Sequence, residues 1–164
     1  MTIGTIDRKT ERERMAMALL LFLLEDTLKP YLKDVNGYYF EVSPALPCQK
    51  PEIIYGRNED NAGISIYAEI LSKTPQLLLK VMFSNENSVF YIPNIMIHES
   101  MKYNGVGKAM IQVCLKVAGY MGCKLELVEM TDSFLYRMLK RGAKQIGYDS
   151  VEITENTDLS KHFN

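Results

Sequence analysis

A chain of 164 residues, 47% apolar and 24% charged, has the composition of one ordinary globular domain that can build a core without disulfides or a metal. Its 19 basic and 20 acidic residues give a net charge of -1 with no long single-sign block, which removes the electrostatic case for a nucleic-acid or anionic-membrane partner. Cys48, Cys114 and Cys123 are odd in number and lack CxxC spacing, which fits a reducing compartment, and His98 and His162 are too scattered for a zinc site.

From about Asp7 to Lys33 the chain holds strong helix formers, no glycine, and proline only at Pro30, which predicts a helix. Its charged beginning, Asp7 to Arg14, is not that of a signal peptide, and the apolar run Met15 to Leu24 is ten residues where a bilayer needs about 20. A cytoplasmic protein is expected. Ala16 to Leu24 is apolar on every face, which predicts burial all round or a face shared with a partner, as in a homodimer.

Beyond Gly37, Tyr38 to Val42 has strand composition. Ser43 to Pro51, with three prolines, reads as a loop, and Ile53 to Tyr55 is apolar but short. Ile64, Ile66, Ala68 and Ile70 alternate with Ser65, Tyr67 and Glu69, the period of a strand. A second strand is expected at Leu77 to Phe83. A third is expected at Val89 to Ile97, where Pro93 cannot donate to a ladder and implies an edge, a bulge or a splay. A helix follows over Val106 to Tyr120, with Val106, Met110, Val113 and Val117 on one face and Lys108, Gln112 and Lys116 on another. Gly122 closes it. Lys124 to Met130 reads as a strand, Thr131 or Asp132 as the cap of a helix reaching about Arg141, and Ile146 to Thr154 as a last strand. The polar tail, Glu155 to Asn164, is expected to be loosely ordered. The element order predicts one α+β domain over residues 1–164: a mixed, mostly antiparallel sheet, one parallel strand pair with a right-handed helical crossover, and flanking helices.

The chemistry concentrates between the third strand and the following helix, at Lys102-Tyr103-Asn104-Gly105-Val106-Gly107-Lys108. Glycines let backbone approach a ligand, a helix start directs free amides and the positive dipole end at one spot, and Lys102 and Lys108 suit phosphate oxygens. The segment is therefore a candidate phosphate or pyrophosphate site. A Walker A loop would need glycine at 102 and Ser or Thr at 109, where the chain has Lys102 and Ala109. A dinucleotide fingerprint would need glycine at 110, where Met110 stands.

Ile97 to Gly107 resembles instead the acetyl-CoA segment of the GNAT family of N-acetyltransferases, in which a strand is followed by Arg/Gln-x-x-Gly-x-Gly/Ala. Lys102 occupies the Arg/Gln position and keeps a cation. Glu126 to Thr131, then Phe134 to Ala143, resembles the next strand, helix and glycine turn, so the likeness runs from about Ile64 to Ile153. The resemblance implies a GNAT-like sheet whose parallel pair splays to admit acetyl-CoA, no metal, and direct transfer of the acetyl group to a primary amine. It implies that the backbone of Ile95, Met96 and Ile97 pairs with the pantetheine, and that Lys102, Tyr103, Asn104, Gly105, Val106, Gly107 and Lys108 hold the pyrophosphate.

Two positions depart from the family. Its usual tyrosine acid falls on Met138, and its helix-start asparagine falls near Thr131. Tyr136 is the substitute acid candidate, although two residues turn it about 200° around the helix from Met138. His98, Glu129 and Glu69 are the candidate bases. The acceptor is a small-molecule or protein amine, and the region Tyr38 to Asn61 is expected to shape its site. The alternative is an inactive member serving as a binding or assembly module; a weaker one is nucleotide-phosphate binding through Gly105 to Lys108.

Overall fold

The computed structural model describes residues 3–33, 35–44, 46, 53–55, 62–69, 74–95 and 105–160. Along the chain these form α1 (Ile3–Leu32), β1 (Gly37–Ser43), β2 (Ile53–Tyr55), β3 (Ala62–Glu69), β4 (Gln76–Ser84), β5 (Val89–Ile95), α2 (Val106–Tyr120), β6 (Lys124–Leu127), α3 (Asp132–Lys140), β7 (Lys144–Gly147) and β8 (Ser150–Ile153). All the strands join one sheet in the order β2-β1-β3-β4-β5-β6-β8-β7. Pairings β1–β2 and β5–β6 are parallel and the rest antiparallel, so the α+β class and the crossover β5-α2-β6 stand as expected.

Alternation along the strands decides which side of the sheet is covered. In β3, Ala62, Ile64, Ile66 and Ala68 are buried while Gly63, Ser65, Tyr67 and Glu69 are half-exposed. Paired residues share a face, so one apolar row crosses five strands: Ala62, Phe83, Phe90, Leu125 and Ile153. The Phe83 and Phe90 rings lie 4.7 Å apart within it. A second row, Phe40, Ile66 and Leu79, is fully buried. Helices α1 and α2 lie against each other, α1 also touching β1 and β3 and α2 touching β5 and β6. Gly63 is required by close approach, since a Cβ there would sit 2.9 Å from the Val81 carbonyl oxygen.

The first helix buries one face only. Met17, Leu20, Leu21, Leu24, Leu28 and Leu32 enter the core, each worth about 1.5–3 kcal/mol of burial. Met15 and Phe22 are 58% and 70% exposed, and Ala18 faces outward too. Burial all round is thus not what happens: the sheet and α2 wall the helix on one side, and among the described residues no element lies over Met15, Ala18 and Phe22 on the other. Pro30 falls in the last turn, where the helix loses one hydrogen bond and still reaches Leu32.

Arg12 ties this helix to distant parts of the chain. Its Nη1 donates to Asn85 Oδ1 at 2.7 Å in the β4–β5 turn, and its Nη2 donates to the Met121 carbonyl at 3.0 Å and to Cys123 Sγ at 3.5 Å. The guanidinium also lies 5.7 Å from the centre of the Phe83 ring. A cation there faces the carbonyl end of α2, where the helix dipole favours it.

Three other elements differ from expectation. Ile53 to Tyr55, too short to read from sequence, pairs in parallel with Phe40 to Val42. The single last strand is a hairpin, because Tyr148 and Asp149 turn the chain between β7 and β8. The tail is held as far as Ser160: Asp158 N–H donates to the Arg141 carbonyl at 2.7 Å, Arg141 Nη1 returns a bond to the Asp158 carbonyl at 3.0 Å, and Thr157 and Leu159 are buried. The expected loop Ser43 to Pro51 lies mostly outside the described residues.

Arg12→Ala is expected to lower the free energy of unfolding by about 2–3 kcal/mol in denaturant titration, since it removes several charge-assisted bonds. Arg12→Lys should recover less than half of the loss, because an ammonium cannot fork between Asn85 and Met121.

Candidate active site

The parallel pair β5–β6 runs in register from Val89 and Lys124 to Ile92 and Leu127 and stops there. A last bond, Val128 N–H to the Ile92 carbonyl at 3.2 Å, closes the ladder. Strand β5 continues to Ile95, pairing only with β4, so Pro93, Asn94 and Ile95 have no partner in β6. Opposite Lys80 and Met82 of β4 stand Asn94 and Tyr91 of β5, which places Pro93 in a bulge. The strands therefore part at the proline, as its missing N–H suggested.

Because β3 and β5 are each antiparallel to β4, their carboxyl ends lie at one edge of the sheet, together with that of β6. Glu69 ends β3, Ile95 ends β5, and Glu129 follows β6. Helix α2 returns from this edge in the crossover, so its N-terminus starts there. Ligands of open sheets bind at such an edge, beside diverging strands.

Gly105 caps α2 with φ 77°, a left-handed conformation that glycine adopts without strain. Val106 is buried and anchors the first turn, and the Ala109 N–H donates to the Gly105 carbonyl at 3.0 Å. The turn has neither a side-chain cap bond nor an acidic residue. The amides of Val106 and Gly107 thus fall among those a helix leaves unpaired at its start. A Cβ on Gly105 would meet nothing within 4 Å. Of the expected cofactor residues, the structure brings Ile95, Gly105, Val106, Gly107 and Lys108 to the parting strands; Met96, Ile97, Lys102, Tyr103 and Asn104 lie outside the described residues, as does His98.

Glu129 is exposed and has φ 53°, a conformation that costs a non-glycine residue about 1 kcal/mol or more. The Met130 N–H donates to the Asp149 carbonyl at 3.0 Å just after it, pinning the turn. Tyr136 is 60% exposed on α3, with Lys140 Nζ 4.6 Å from its ring centre, whereas Met138 is buried in the core. The helix therefore turns Met138 inward and Tyr136 outward. Cys114 is fully buried, and desolvation pushes its thiol up to about 12, so it stays protonated. Among the described residues no cluster of His, Cys, Asp and Glu could hold a metal ion, and no helix is long and apolar enough to cross a membrane.

The face of the sheet away from α1 carries groups that the sequence pattern marked only as the polar half of an alternation. Tyr39 stacks on Tyr67 at 5.0 Å. Burial, then Tyr67, Glu41 and Glu69, raise the pKa of Tyr39. Beside them, Glu41, Ser65, Tyr67, Lys80 and Met82 line a concavity of about 150 Å³. Further along, Glu126 stands opposite Glu152, which Lys124 approaches at 3.8 Å. Burial, then Glu152, raise the Glu126 pKa, and Lys124 offsets part of this.

No protein-family model matches the sequence, and no curated protein is significantly similar to it. Among solved structures, the crystal structure of nourseothricin acetyltransferase is similar over 69% of this chain and 75% of that one, with 14% identity and a TM-score of 0.36. A likeness that slight says nothing about what this chain acts on.

Two measurements follow from the site. Glu129→Gly should raise stability by about 1 kcal/mol by relieving the left-handed backbone, while Glu129→Gln should not. Glu126→Gln should raise the melting temperature at neutral pH, because a carboxylate with a raised folded-state pKa costs stability once ionised. The gain should disappear as the pH falls below the ordinary value of 4.5, where both states are protonated.

Proposed function

We propose that the chain is an acyltransferase that moves an acetyl group from acetyl-CoA to a primary amine by direct attack. The observation that carries the reading is the parting of β5 from β6 after Ile92, beside a helix start with unpaired amides and a glycine cap facing open space. Those features suit a long ligand with a pyrophosphate at one end. On this reading the amides of Val106 and Gly107 would meet phosphate oxygens, and the end of β5 at Ile95, left without a β6 partner, would offer backbone groups to an amide-bearing arm. Acetyl-CoA supplies an activated acyl group when bound there.

The chain's own residues then have three tasks: to take a proton from the amine, to stabilise charge on the carbonyl oxygen, and to protonate the leaving sulfur. Glu129, Glu69 and His98 are the candidates for the first, with Glu129 beside the parting strands. Backbone amides at the end of β5 serve the second. Tyr136 is the candidate for the third, and its outward position on α3 requires the acceptor complex to reach it. For the amine, the concavity lined by Glu41, Tyr67 and Lys80 provides a carboxylate and an aromatic face that attract an ammonium group, with the Lys80 cation opposing them.

A second reading, a module that binds without catalysis, is favoured by one observation: the position of the family's acid is filled by Met138, which is part of the core.

Calorimetric titration with acetyl-CoA, with ATP as control, tests the reading. Micromolar binding of acetyl-CoA and none of ATP is expected, and Gly105→Glu should abolish it while leaving the circular dichroism spectrum unchanged. Unaltered affinity in that variant would remove the helix start from the site. Binding with no turnover on any amine would select the module.

A further inference from the structure

The exposed stripe of α1 is the part of the surface that acyl transfer does not use. Met15, Ala18 and Phe22 recur there at helical spacing, with Phe22 70% exposed. Glu11 and Arg14 flank them toward the N-terminus, and Asp26 and Lys29 toward the C-terminus, all exposed on the same side of the helix. At 1.5 Å per residue the stripe from Glu11 to Lys29 is about 27 Å long.

We propose that this stripe is the interface of a homodimer in which two copies of α1 pair antiparallel about a two-fold axis at the height of Leu20. That alignment sets Phe22 over the second copy's Ala18, and Ala18 under the second copy's Phe22, a large side chain on a small one in both places. It sets Glu11 against the second copy's Lys29 on the midline of the face. A parallel pairing would set Glu11 against Glu11, Arg14 against Arg14 and Lys29 against Lys29, which repel. The charge order along the stripe is therefore self-complementary in one direction only, as an isologous interface requires. A lone aromatic exposed in the middle of a helix face gains burial from the same contact.

Sedimentation equilibrium of the full chain at tens of micromolar is the test. A dimer is expected for the wild type, and a monomer with unchanged circular dichroism for Phe22→Asp. Glu11→Lys and Lys29→Glu should each weaken the dimer several-fold, and the double variant should restore it, because each swap makes an attractive pair again. A wild-type monomer at every concentration would overturn the proposal and leave the stripe to a different partner. A double variant no stronger than the single ones would overturn the antiparallel register.

Discussion

The parallel ladder between β5 and β6 is the constraint on which the rest of the molecule turns. A parallel pair cannot be closed by a tight turn, so the chain must leave β5, cross the sheet as α2 and return. That crossover sets the start of α2 at the carboxyl edge of both strands. The ladder then ends at Ile92 and Leu127, and the proline after Ile92 sits in a bulge toward β4. One strand thus continues while its neighbour stops, and the helix start, with its unpaired amides, lies beside the opening. Three ordinary facts of backbone geometry thus bring a strand end without a β6 partner and a helix start together before any catalytic side chain is considered.

Among the described residues, the helical layer is built on a face of the sheet and not on that edge. The N-terminal helix and α2 close one face of β1 to β6, and Arg12 fixes the first to the end of the second through the Met121 carbonyl while reaching the β4–β5 turn through Asn85. The contact joins segments far apart in sequence at the end of α2 away from its glycine cap. Stability and the candidate site are in this way held at opposite ends of one helix, and a substitution at Arg12 can be read as a change in fold stability.

Elements with a strong period were legible in the sequence: β3 from its alternation, α2 over the whole of Val106 to Tyr120, and the breaks at Gly122 and Gly142. The bulge at Pro93 followed from a missing donor. What could not be read depended on partners distant in sequence. Nothing near Arg12 announces that it will meet Asn85 and Met121. The uniform apolarity of Ala16 to Leu24 hides which side the sheet will take, so Phe22 was indistinguishable from Leu24. The turn at Tyr148 and Asp149 is flanked by Gly147 and Ser150, and these turn-forming residues lie inside a segment that reads as one strand. In the candidate site the glycine cap at Gly105 and the helix start at Val106 were legible from the loop-then-helix pattern, whereas Ile95 came only from the resemblance. The polar face of Tyr39, Glu41, Tyr67 and Lys80 was visible only as alternation, because its concavity needs the register between β1, β3 and β4.

The division between backbone and side-chain machinery bears on what Met138 means. A missing general acid typically costs about 10²–10⁴ in rate, while preorganised amides at the developing charge contribute a term of similar or larger size. On the proposed reading the second term resides in the bulged end of β5, which the fold itself maintains. Methionine at position 138 leaves that backbone geometry untouched. With methionine there, the core around α3 is filled and the helix holds Tyr136 outward with Lys140 over its ring, so in the proposed reaction Tyr136 protonates the thiolate where the acceptor complex reaches it, and solvent at this edge does so otherwise. If the proposed transfer takes place here, its rate is set by how well the acceptor orders that proton donor.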